Sequence, residues 1–266
     1  MRESAKGLLL AVDGAVTGVC RLAGDVAWLL WRAMAGAVRL DFDRARLVNE
    51  LDRSIVGAVP LIVLTGMATG AVMVWQTVEG LARFGASAYA AKIVALSIVR
   101  ELSPVLVGLL AAGRVGSAIA ADLGSMAITE QLDAMRALAL DRYRHLVTPR
   151  VLALAAGLPL LVLIFDLAGL TGGLLAGVLE GAIPWPAYVE SARSALYFGD
   201  VAAGMAKGAV SGLLIALVGC AYGLTVDPRQ GASAVGARTT AAVVAASVAV
   251  LAGDVVMTRF WMRGLV

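Results

Sequence analysis

The chain has 266 residues, of which 60% are hydrophobic and only 15% charged, and its formal net charge is +3. Soluble domains carry about 45–50% apolar and about 25% charged residues, so one water-soluble core under a charged surface is excluded and a membrane protein is implied. The two cysteines, Cys20 and Cys220, stand far apart in apolar segments, which excludes a disulfide framework and a cysteine-based metal motif.

Residues 1–54 mix apolar stretches with eight Lys/Arg and seven Asp/Glu. The apolar run after Lys6 stops at Asp13, so no cleaved signal peptide is expected. At about 100° per residue, Asp13, Arg21, Asp25, Arg32 and Arg39 fall within an arc of roughly 120°, with Leu22, Leu29 and Met34 off it. That pattern predicts an amphipathic helix lying in the membrane interface; a helix packed as in a soluble protein is the alternative.

Ile55 to Val78 carries no charge and is long enough to cross about 30 Å of hydrocarbon. Four further spans follow: Lys92 to Arg114 with Arg100 and Glu101, Val151 to Leu179 with Asp166, Val201 to Val226 with Lys207, and Thr239 to Met257 with Asp254. The expected fold is therefore an all-α integral membrane protein, with an N-terminal interfacial region at 1–54 and a five-helix membrane domain at 55–266. With the N-terminus in the cytoplasm, the segments 1–54, 114–150 and 226–240 place fifteen Lys/Arg on the cytoplasmic side against six outside, which favours that orientation.

Residues 114–150 are the one long connection. Ile128, Leu132, Met135 and Ala139 follow helical spacing, with Glu130, Asp133 and Arg136 off that face. A short cytoplasmic helix is expected there, either lying on the membrane or docking into a partner's groove. Glycines recur every four residues at Gly66 and Gly70, at Gly169, Gly173 and Gly177, and at Gly204, Gly208 and Gly212. Such stripes let helix backbones approach closely, either inside one subunit or at a moving or dimerising face.

No catalytic residue and no metal site is legible. His145 is expected to be a solvated loop residue. Gly108 to Arg114 reads G-x-x-x-x-G-R, but the lysine of a phosphate-binding loop is missing and no strand precedes it. What remains is charge inside the membrane, which costs several kcal/mol unless paired or hydrated. Arg100, Glu101, Asp166, Lys207 and Asp254 nearly balance, so mutual pairing or a polar cavity is expected; residues near span ends also have the option of snorkelling. One shared level near the outer side would suit a gate or substrate portal.

Four blocks carry a family resemblance: Arg100-Glu101-Leu102-Ser103-Pro104-Val105, Ala112-Gly113-Arg114-Val115-Gly116-Ser117-Ala118, Leu123-Gly124-Ser125-Met126, and Thr129-Glu130-Gln131-Leu132-Asp133-Ala134-Met135. In this order and spacing they resemble the MlaE/YrbE permeases of ABC transporters that work with MCE-domain proteins, over roughly residues 50–260. Ser103 replaces a glycine usual in that family, and Asp122 stands where Glu is common. The resemblance implies a homodimer in the bacterial inner membrane, with the segment at about 118–140 as a coupling helix. In that segment Thr129, Glu130, Gln131, Leu132, Asp133 and Met135 would meet a cytoplasmic ATPase. It implies a periplasmic MCE-domain protein of the MlaD kind, a small cytoplasmic STAS-domain protein, and membrane lipid as cargo. Nucleic acid is not an expected partner. In Gram-negative relatives the cargo is phospholipid moving between inner and outer membranes, which bears on outer-membrane lipid asymmetry; in actinobacterial relatives it is sterol or fatty acid. Arg100 and Glu101 match the family's charged pair near the lipid cavity, and Lys207 and Asp254 its other intramembrane charges. No cofactor is expected in this chain, ATP and Mg belonging to the partner. The alternative is a channel or secondary carrier for a small solute, independent of any ATPase. An intramembrane enzyme is disfavoured by the missing catalytic cluster.

Overall fold

A computed structural model describes residues 17–18, 24–36, 44–180 and 183–264, and these residues hold helices and no strand. In chain order the helices are α1 (24–36), α2 (Arg44–Ser54), α3 (Val59–Ala82), α4 (Ala90–Ser97), α5 (Ser103–Ala111), α6 (Ser117–Ile128), α7 (Gln131–Ala137), α8 (Thr148–Leu179), α9 (Trp185–Ala195), α10 (Phe198–Leu224) and α11 (Ala232–Gly264). Five stretches are long and apolar enough to cross a membrane: Ala45–Ala82, Ala90–Ile128, Tyr143–Leu179, Phe198–Leu224 and Ala232–Trp261. The chain is a multi-pass, all-α membrane protein.

These spans outrun the apolar runs that mark them in the sequence. The first two contain 38 and 39 residues, about 57 Å of helix at 1.5 Å per residue against roughly 30 Å of hydrocarbon. The excess projects beyond the bilayer at one end. There α2 packs on the start of α8, and α6 extends the second span past Arg114, where the charge pattern alone predicts the helix to leave the membrane. Helix α9 caps the opposite end, packing on α4. The two ends are called here the α7 end and the α9 end.

The expected helix over 118–140 is shorter than its periodicity implies. Residues up to Ile128 belong to α6, and α7 covers only Gln131–Ala137. Glu130 between them has φ 58° and Ala139 beyond has φ 55°, a left-handed conformation that side-chain-bearing residues seldom adopt. Ile128, Leu132, Met135 and Ala139 therefore do not form one continuous face. Leu132 is buried while Glu130, Gln131 and Asp133 are exposed. Asp133 pairs with Arg136 at 2.7 Å along the helix.

Small residues set the packing of the bundle. α3 runs along α8, and α10 lies against both α8 and α11. A Cβ on Gly66 would meet the Ala168 Cβ and the Phe165 carbonyl at 3.0 Å, and one on Gly70 would collide with the Gly169 carbonyl. A Cβ on Gly204 would stand 2.9 Å from the Val99 carbonyl, one on Gly208 2.9 Å from the Val162 side chain, and one on Gly212 would collide with the Leu154 carbonyl. All five glycines sit at seams inside this one chain.

Asp13, Arg21 and Arg39 of the expected interfacial helix lie outside the described residues. Within α1, Leu29 and Ala33 are buried while Trp28, Trp31 and Met34 are exposed. Trp28 meets Tyr143 edge to face, with ring centres 4.7 Å apart. Arg32 lies over both rings and pairs with Asp141 at 3.3 Å. His145 sits in a π-helical stretch, Tyr143–Val147, rather than in a loop, and its carbonyl accepts from Arg46.

Candidate functional site

The second span is not a regular helix. Two π stretches interrupt it, Ile98–Leu102 and Ala112–Gly116, and such bulges concentrate at functional sites. Each carries an arginine. The first has a local cause in Pro104, which lacks an N–H and so cannot donate to the carbonyl four residues back, that of Arg100. The freed Arg100 carbonyl accepts from the Lys207 ammonium at 2.9 Å.

Lys207 projects from α10, is only 5% exposed, and forms the centre of a charged cluster. Its Nζ lies 2.8 Å from Glu101 Oε2 and 3.2 Å from Asp254 Oδ1, which ties the second, fourth and fifth spans together. Thr258 on α11 stands 3.4 Å from both Glu101 oxygens. Arg100 turns to Asp200, its Nε donating to Oδ1 at 2.7 Å, while Asp200 Oδ2 accepts from the Tyr197 backbone N–H and caps α10. A carboxylate in a helix's first turn also meets the favourable end of the helix dipole. A cavity of about 290 Å³ opens beside the cluster, lined by Glu101, Asp254, Val255, Thr258 and Arg259.

Of the five intramembrane charges expected to share a site, the structure brings Arg100, Glu101, Lys207 and Asp254 together and leaves Asp166 out. The Asp166 carboxylate is buried in α8 with no hydrogen-bond partner among the described residues. The nearby Ser103 hydroxyl donates to the Val162 carbonyl instead. Asp200 and Thr258 belong to the cluster and escaped the sequence reading. Asp200 opens a span and looks like an ordinary loop charge; its place three residues beyond the helix cap was the available signal. Beyond the membrane, burial pushes the Tyr188 phenol of α9 up to about 12, so it stays neutral against α8.

Lys207 thus joins three helices beside a cavity lined mostly by polar and charged side chains. The sequence profile of the family described as permease MlaE matches residues 47–260, more than three quarters of the chain. This chain belongs to the MlaE permease family. A probable ABC transporter permease protein of Rickettsia felis is 39% identical over 240 residues, 90% of this chain and 92% of that protein. The intermembrane phospholipid transport system permease protein MlaE of Haemophilus influenzae is 30% identical over 239 residues, 90% of this chain and 91% of its own length. The chloroplastic protein TRIGALACTOSYLDIACYLGLYCEROL 1 of Arabidopsis thaliana is 33% identical over 245 residues, 88% of this chain and 69% of its own. The family match takes in every member of the Lys207 cluster, together with α7.

Proposed function

We propose that this MlaE-family permease is the membrane subunit of an ATP-driven lipid transporter. It works as a homodimer in the bacterial inner membrane with its N-terminus in the cytoplasm, an orientation supported by the excess of Lys/Arg on that side. A separate ABC ATPase, which holds ATP and Mg, grips α7 through exposed Glu130, Gln131 and Asp133. A periplasmic MCE-domain protein covers the α9 end, and a small STAS-domain protein joins on the cytoplasmic side. The observation that carries this reading is the family match across residues 47–260, which includes both the charged cluster and α7.

The chemistry of lipid handling follows from the surfaces. The first and fifth spans are the least covered by the rest of the chain. They expose Leu61, Leu64 and Val72 on α3 and Val244, Val248 and Val255 on α11. Acyl chains lodged against such faces gain about 0.8 kcal/mol per buried CH₂. A motion that closes the two faces removes that stabilisation and expels the lipid. Among the described residues Arg100 uses only its Nε, on Asp200, which leaves both Nη groups for a phosphate, whose geometry suits a guanidinium.

Mass spectrometry of proteins and lipids retained after gentle detergent extraction tests this reading, with an ATPase, an MCE-domain protein and phospholipid expected. Recovery of none of them favours an ATPase-independent carrier. Glu130→Lys, at an exposed turn, is expected to abolish lipid transport while the ATPase stays active and the dimer intact. Undiminished transport by that variant removes α7 from the coupling role.

A further inference from the structure

The second π stretch, Ala112–Gly116, serves a separate cavity at the α7 end. This cavity measures about 210 Å³, below the ~300–1,000 Å³ typical of sites for drug-sized ligands. It suits a headgroup-sized ion and not an acyl tail. Arg114 of the π stretch, Arg53 and Ser54 of α2, and Asp122 of α6 face it, with Val115 and Ile119 as its apolar floor. Arg114 lies about 20 Å along the second span from Arg100, fourteen residues at 1.5 Å each. The two charged layers are therefore separate sites.

The four charged residues lining this cavity are two carboxylates and two guanidiniums, and Arg150 adds a third cation next to both carboxylates. Asp122 takes two hydrogen bonds from Arg53, at 2.7 and 3.4 Å, and lies 3.8 Å from Arg150. Glu50, the other acidic residue of the lining, lies 3.0 Å from Arg150 Nε. Both carboxylates are thus already occupied by guanidiniums. The Arg114 guanidinium has no hydrogen bond or ion pair among the described residues, and it lies across Gly57, whose Cβ position is 3.1 Å from Nη2. Ser54 is only 6% exposed, lines the cavity, and its hydroxyl likewise has no partner among the described residues. The Ser54 hydroxyl and the Arg114 guanidinium thus both face the cavity as unmatched donors, and the guanidinium calls for an acceptor of negative charge.

We propose that this cavity binds a phosphate group, held by the Arg114 guanidinium and the Ser54 hydroxyl. The group is carried either by a lipid headgroup of the leaflet at the α7 end or by a soluble phosphate compound. A forked guanidinium matches phosphate oxygens two at a time, and the hydroxyl supplies a further donor.

The full chain, purified in a phosphate-free detergent, is titrated with short-chain phosphatidic acid, with inorganic phosphate, and with the matching diacylglycerol, which has the same tails and no phosphate. Wild type, Arg114→Gln, Ser54→Ala and Arg193→Gln, an exposed position on α9 at the opposite end, are compared. Phosphatidic acid is expected to bind wild type and Arg193→Gln alike, to bind Arg114→Gln at least tenfold more weakly and Ser54→Ala about threefold more weakly, with no change for diacylglycerol. If inorganic phosphate shows the same losses, the phosphate group alone suffices and the soluble source stands; if it does not bind, the lipid headgroup is the ligand. Should Arg114→Gln fail to fold, Ser54→Ala, which leaves every ion pair in place, decides the matter by its own loss. Equal affinity within twofold for both phosphate probes, in wild type and in the folded variants, overturns the proposal. The assay reads binding to this chain alone, so its failure leaves the transport reading standing.

Discussion

The two charged layers share one plan and differ in charge balance. Toward the α9 end, buried Lys207 on α10 draws in Glu101 from the second span and Asp254 from the fifth. Toward the α7 end, Arg150 of α8, with a side chain only 8% exposed, draws in Glu50 from the first span and Asp122 from the second. Each layer thus hangs on one buried cation flanked by carboxylates from two other helices. In the first layer Glu101, Asp200 and Asp254 are matched by Arg100, Lys207 and Arg259. In the second, Arg53, Arg114 and Arg150 outnumber Glu50 and Asp122. The second span enters both layers, each time at or beside a π stretch, and is tied to the fifth span at one level and to the first at the other.

The largest difference between the layers is expected at the central cations. Lys207→Met leaves the mostly buried Asp254 and the half-exposed Glu101 without the cation they share. Breaking a buried pair in this way costs about 3–5 kcal/mol, readable as a large drop in thermal stability of the purified protein. The triple variant Lys207→Met/Glu101→Gln/Asp254→Asn removes all three charges and is expected to recover most of the loss. Arg150→Gln is the counterpart and is expected to cost less, about 2 kcal/mol, because Asp122 keeps Arg53 as a second partner. Equal losses in the two variants would break the contrast between the layers.

These partnerships were only partly legible in the sequence. That charges in an apolar chain must be compensated singled out Arg100, Glu101, Lys207 and Asp254 as candidates, and the structure gathers those four. The same logic could not exclude Asp166, because α8 is apolar on all sides and its periodicity does not say which face meets which neighbour. The spans were located by their apolar runs but ended too early, since a charge such as Arg114 reads as an exit. The helix in fact continues as α6, with Asp122 paired to Arg53 at 2.7 Å. The length of α7 was misjudged for a related reason: the apolar spacing runs across Glu130, whose left-handed backbone no spacing rule reveals. The α7-end layer went unread because its members come from three segments that look like ordinary cytoplasmic charge.

Asp200 sharpens the comparison at an intermediate scale. Asp200→Asn retains an oxygen for the Tyr197 N–H but loses the ionic attraction to Arg100, whose side chain is 50% exposed. The expected loss is about 1 kcal/mol, combining a weakened helix-end interaction with a half-solvated pair. Freed from Asp200, Arg100 offers its whole guanidinium to lipid phosphate, so retention of anionic lipid through purification is expected to rise rather than fall. Reduced retention would mean that Asp200 holds Arg100 in its binding pose.

The smallest effect is expected at the rim of the α7-end layer. Arg53 pairs with Asp122 at 2.7 Å, but its side chain is 65% exposed. Exposed pairs contribute roughly 0–1 kcal/mol and are screened by salt. Arg53→Gln is therefore expected to lower stability by less than about 1 kcal/mol, with the difference from wild type shrinking between low and high ionic strength. Arg150 stays within reach of Asp122 and holds the layer together in that variant. A loss as large as that of Arg150→Gln, unaffected by salt, would show that Arg53 and not Arg150 is the cation on which the layer hangs, and the parallel with Lys207 would fail.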